Sequence, residues 1–135
     1  VHKNVNHIYP AILKNLETPS FYDEIIKLLD RRGFKISQEC LDRDWSKKYK
    51  PHESIEKAWL EIYKNPEPTN DLYLLGELLI EFADIFARYR FQHFTTVERI
   101  LGLKPGTGGS AGVNWLKTMA SHRFFPELWS IRTDL

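Results

Sequence analysis

The chain has 135 residues, 19 basic against 18 acidic side chains and a net charge of +1, with 42% hydrophobic and 27% charged residues. That is one domain's length with enough apolar surface for a real core, and the near-neutral balance gives no electrostatic case for nucleic acid or an anionic membrane. A single cysteine, Cys40, rules out an internal disulfide and a thiolate-rich metal centre.

From the start, Val5, Ile8, Ile12, Leu13 and Leu16 recur at helical intervals, with Pro10 tolerable only near a helix start, so a modest helix is expected after it. In "TPSFYDEIIKLLDRRG", Thr18-Pro19-Ser20 is a start signal, Phe21, Ile25, Leu28 and Leu29 share a face, and Gly33 is the stop. The segment up to Pro51 is polar and reads mostly as loop, with a helical turn possible from Ser37 to Leu41. Next, His52 or Ser54 opens a helix carrying Ile55, Ala58, Trp59 and Ile62 on one side, and Pro66 ends it.

The dominant element runs from Asp71 to Leu101 without an internal proline. Leu75, Leu78, Leu79, Phe82, Ile85, Phe86, Tyr89, Val97, Ile100 and Leu101 give it one apolar stripe, and Gly102 is a natural stop. A helix of that length spans about 45 Å. After a glycine-rich segment, "AGVNWLKTMASHRFF" reads as a short helix and Pro126 suits the first turn of a last one. No two-residue alternation bounded by hairpin turns occurs. The expected fold is all-α: a helical bundle with one central helix of about 30 residues, a glycine-rich loop and two short C-terminal helices. Residues 1–135 are expected to form a single domain.

Stepping by three or four from Phe82 reaches His93, which is therefore expected to be at least partly buried and neutral. A core histidine bonded to a carbonyl fits that position, and so does a metal ligand. No second histidine lies within a helical turn, so a zinc cage has little support, whereas haem asks the protein for one axial ligand and an apolar slot. Arg88 and Arg90 lie close by, where they either meet acidic groups of such a ligand or, the expected case, point to solvent.

"GTGGSAG", Gly106 to Gly112, formally fits a dinucleotide fingerprint, but a long helix precedes it where that motif needs a strand, and no Gly-Lys-Ser/Thr closes it as a phosphate loop. Its glycines let backbone amides approach a ligand, or serve as a flexible linker. Cys40 is expected to be structural and His122 a surface or packing residue.

Together, "RFQHFTTVERILGLKPGTGGSAGVNWL", "FFPELWSIRTDL" and the upstream "TPSFYDEIIKLLDRRGF…CLDRDW" closely resemble the C-terminal half of tryptophan 2,3-dioxygenase. The resemblance implies a haem b enzyme that inserts both atoms of O2 across the indole C2–C3 bond of L-tryptophan, giving N-formylkynurenine, the first step of tryptophan catabolism. It implies that His93 is the proximal iron ligand and that Tyr89 and Val97 lie against the porphyrin. Thr107, flanked by Gly106 and Gly108, would hold the amino-acid end of the substrate. It also implies a homotetramer. The lone cysteine and the lack of an apolar run of ~20 residues lead to the expectation of a cytoplasmic protein, with no membrane or nucleic-acid partner.

Tyr89 stands where the family usually has tryptophan, and Gln92 where it often has arginine. The family's distal histidine, indole-packing aromatics and carboxylate-clamping arginine belong to an N-terminal half without a counterpart here. With Val1 at its start and Met119 its only methionine, the chain is expected to be the C-terminal part of a longer enzyme, inactive by itself. The alternatives are a non-catalytic helical haem-binding or interaction module, and a relative acting on another aromatic substrate.

Overall fold

Ser20 opens the first strongly amphipathic helix with a reciprocal pair of bonds. Its hydroxyl accepts from the Asp23 amide at 3.2 Å, and Asp23 Oδ2 accepts from the Ser20 amide at 2.7 Å. Two orphan donors of the helix start are thereby satisfied. In the computed structural model, which describes residues 8–67, 70–102, 104 and 112–135, the helices are α1 (Ile8–Leu16), α2 (Phe21–Arg31), α3 (Gln38–Leu41), α4 (Glu53–Tyr63), α5 (Asp71–Leu101), α6 (Val113–Ala120) and α7 (Pro126–Ser130). A 3₁₀ turn, Ile131–Thr133, follows. No strand occurs among the described residues, and the all-α class holds.

The stops and starts follow local chemistry. Gly33, at φ +95°, ends α2 in a conformation that suits glycine. His52 caps α4 by accepting the Ser54 amide on Nδ1 at 3.1 Å. Gly102, at φ +63°, ends α5, its amide bonding Glu98 O at 2.8 Å.

The chain divides into two compact units, Val1–Tyr73 with Glu127–Leu135, and Leu74–Pro126. The first has its core on α2 and α4, where Ile26, Leu29, Ile55 and Trp59 are almost wholly buried, together with Leu128 and Ile131 from the C-terminal segment. Two polar clusters are sealed into it. Burial pushes the Asp23 carboxyl up, but the Arg43 guanidinium and the Ser20 groups outweigh this and hold it below the usual range. Arg43 is bidentate, with Nε and Nη2 each donating to Asp23 at 2.6 Å.

The other cluster centres on Glu127, 1% exposed. It accepts from the Tyr22 hydroxyl (3.1 Å), the Tyr49 hydroxyl and the His52 amide (3.1 Å), and Trp59 Nε1 donates to the Tyr22 oxygen at 3.1 Å. Burial raises the Glu127 carboxyl above its ordinary value despite these donors.

The second unit contains α5 from Leu74, α6 and the residues up to Pro126. Gly76, Leu79, Ala83 and Phe94 form a buried seam on α5 at steps of three, four and eleven residues. Leu74, Leu78, Phe82, Ile85, Tyr89 and Ile100 form a second apolar row, and all six are exposed. At 100° per residue the two rows lie roughly 120° apart around the helix. The single stripe expected from the sequence is therefore two, one covered and one bare.

Candidate functional site

His93 stands on the bare row of α5, and its side chain is exposed. The expectation of burial is overturned for a simple geometric reason: Phe94, one residue on, takes the covered position, turning His93 about 100° away from it. Tyr89, one turn earlier, presents its ring to the imidazole at a centroid distance of 6.2 Å and an interplanar angle of 6°. Val97, one turn later, is half-buried. Tyr89 and His93 are thus in ring contact, with Val97 the next residue along that side of the helix. No hydrogen bond engages the His93 ring among the described residues.

The arginines divide differently from the solvated pair expected. Arg88 is exposed and pairs with Asp84 one turn away. Arg90 is half-buried, with its guanidinium 4.6 Å from the Phe86 ring centroid and 4.9 Å from that of Phe124. Nη1 donates to Met119 O at 3.3 Å, near the end of α6. Phe124 completes an aromatic cluster with Phe82 and Phe86, at 6.1 and 5.3 Å. His122 is exposed and meets Phe124 edge to face at a centroid distance of 6.1 Å, a surface position resting on that ring.

Thr107, Gly106 and Gly108 lie outside the described residues. Of the described positions nearest their segment, Lys104 is exposed, while Gly102 and Gly112 have left-handed φ, and Gly112, at φ 60°, ψ −129°, is the N-cap of α6. A side chain at Gly112 would be strained whatever space surrounds it.

No group of three or more His, Cys, Asp or Glu is placed to hold a metal among the described residues. A haem, needing one axial nitrogen, makes no such demand. The residues fit it: an accessible imidazole, a parallel aromatic ring beside it, and exposed Ile85 and Ile100 on the same row offer an apolar face to a flat macrocycle. Cys40 is buried, and burial raises its thiol above the ordinary value, which suits packing rather than reactivity. No helix among the described residues is long and apolar enough to cross a membrane.

The sequence reading missed three features. The Ser20–Asp23 box was legible as Ser-x-x-Asp before an apolar run. The Glu127 cluster and the Arg90 contacts join residues far apart in the chain, and no local pattern announces them.

A profile of the family described as tryptophan 2,3-dioxygenase matches residues 14–135. A tryptophan 2,3-dioxygenase of Cupriavidus necator is 50% identical over 120 residues, covering 89% of this chain and 41% of that protein. One of Burkholderia ambifaria is 46% identical over 134 residues, covering 99% and 44%. Tryptophan 2,3-dioxygenase 1 of Ralstonia nicotianae is 47% identical over 127 residues, covering 94% and 43%. The chain spans less than half the length of these relatives. It belongs to the tryptophan 2,3-dioxygenase family.

Proposed function

We propose that this chain is the C-terminal part of a haem-dependent dioxygenase that opens the indole ring of L-tryptophan with O2 to give N-formylkynurenine, and that His93 is its proximal haem ligand. The observation that carries the reading is the placement of His93: an accessible imidazole, flanked by the parallel ring of Tyr89, on an uncovered apolar row of the longest helix. Family membership supplies the chemistry, and the geometry supports this residue in the role.

Haem b, when bound, supplies the activation of dioxygen. The chain's own residues hold and orient. His93 offers a ring nitrogen to the iron, Tyr89 limits the rotation of that ring by stacking beside it, and Val97 adds apolar surface one turn away. Exposed Ile85 and Ile100 extend the apolar face that excludes water around the macrocycle. Thr107, with Gly106 and Gly108 allowing close backbone approach, orients the ammonium and carboxylate end of tryptophan so that the indole is presented to the reacting face. The working enzyme in this reading is a cytoplasmic homotetramer, and the residues that select the indole come from the portion its relatives carry and this chain does not.

The exposure of the whole row also favours a second reading, a haem-binding or interaction module without turnover, because one axial ligand suffices to bind haem. Titrating the purified chain with haem and following the Soret absorbance tests the binding step. Assaying tryptophan consumption, by the chain alone and with the remaining portion supplied, separates the readings. Saturable binding with turnover only in the complemented sample is expected. Saturable binding without turnover in either sample would leave the module.

A further inference from the structure

We infer that Arg90 is a positioning residue that fixes α6, and with it the C-terminal end of the glycine segment, relative to the His93-bearing stretch of α5. This rests on the roles proposed above for His93 and the glycine loop.

Arg90 precedes His93 by three residues on the same helix, less than one turn away. Three features of its surroundings favour the same cation in the same place. The faces of Phe86 and Phe124, at 4.6 and 4.9 Å, present the negative side of their quadrupoles to the guanidinium. Met119 O, accepting from Nη1 at 3.3 Å as well as from the His122 amide at 3.2 Å, belongs to the last turn of α6, where the helix dipole is negative. No ion pair engages Arg90 among the described residues, in contrast to Arg88, whose guanidinium is held by Asp84. The geometry needs a flat, forked cation, because the group must lie against rings and direct an N–H sideways to a carbonyl.

What this contact controls follows from the length of α6. Eight residues are too few for a helix to persist in water by local bonding, so its place depends on tertiary contacts. Its N-cap is Gly112, the last residue of the glycine segment and the one of it that is described. Where α6 lies therefore decides where that segment ends. Arg90 ties the far end of α6 to the helix that carries His93, so Gly112 at the head of α6 and the proposed iron ligand share one anchor.

The test uses Arg90→Met, which keeps the aliphatic stem, and Arg90→Lys, which keeps the charge but not the fork. Hydrogen exchange is followed in the haem-free chain over residues 113–122, with residues 21–31 as the reference. Arg90→Met is expected to speed exchange in 113–122 by about tenfold while the reference stays within about twofold, with Arg90→Lys between the wild type and Met. In the haem-loaded enzyme with the remaining portion supplied, KM for tryptophan is expected to rise about fivefold in Arg90→Met with kcat nearly unchanged and the Soret band intact. Unchanged exchange in 113–122 overturns the proposal. So does an equal rise in both peptides, or a fall in kcat and Soret intensity with KM unchanged, since each makes Arg90 a general packing residue. A wild-type chain that binds no haem rejects the ligand role of His93 instead, and the haem-free exchange comparison still decides whether Arg90 holds α6.

Discussion

Tyr22 and Glu127 lie 105 positions apart in the chain and meet hydroxyl to carboxylate at 3.1 Å. Because Tyr49 and the His52 amide converge on the same carboxylate, one buried side chain ties α2, the loop before α4 and the C-terminal segment together. Burial first, and then the neighbouring negative charge, raise the Tyr22 hydroxyl well above its ordinary value, so it stays a donor at any working pH.

Glu127→Ala should cost about 3–5 kcal/mol, because it leaves two phenol hydroxyls and an amide without an acceptor and opens a cavity. Glu127→Gln, which keeps the volume and one acceptor, should cost about 1–2 kcal/mol at most. Urea unfolding at neutral pH measures both.

The same residue gives a pH signature. Its native pKa is raised above the unfolded value near 4.5. Between those two values the native state keeps a proton that the unfolded state has lost, so Glu127's contribution to stability falls as pH rises through this window and then levels off. Glu127→Gln should lack that component. Chemical unfolding of both proteins from pH 4.5 upward should show the wild type losing stability relative to the variant, and parallel curves would contradict the assignment.

Asp23 behaves in the opposite sense. Its lowered native pKa means that its stabilisation is present above about pH 3.8 and is lost as pH falls through the native value. Arg43→Met removes both guanidinium bonds to Asp23 and leaves a buried carboxylate, at a cost of about 3 kcal/mol or more at neutral pH. The acid-unfolding midpoint followed by circular dichroism should move to higher pH in this variant.

The sequence carried the helices well because their boundaries are local: Ser20, Gly33, His52, Gly102 and Pro126 each start or stop an element through their own backbone or side-chain chemistry. The two faces of α5 were not legible. An apolar residue looks the same in a sequence whether its partner is part of this chain or not, and Phe82, Ile85 and Tyr89 continue the helical period as faithfully as Leu79 and Ala83 do. His93 was found through its motif, while its burial was misjudged because the period was taken for a single covered stripe. Arg90 was noticed only as a charge near the ligand, since its aromatic partner Phe124 lies 34 positions on.

Gly112→Ala places a side chain at φ 60°, ψ −129° and should cost about 1–3 kcal/mol locally. Hydrogen exchange in α6 should quicken while α2 and α4 keep their protection.

Tyr89→Ala removes the ring that lies parallel to the His93 imidazole and should weaken haem binding by about 3- to 10-fold without abolishing it. Titration followed at the Soret band measures the change, and Tyr89→Phe should restore the affinity because the contact is made by the ring.

The most direct measurement is haem titration of His93→Ala beside the wild-type chain, with folding of both checked by circular dichroism. The wild type should develop a saturable Soret band and the variant, equally helical, should not. An undiminished band in His93→Ala would contradict the assignment of this histidine as the iron ligand.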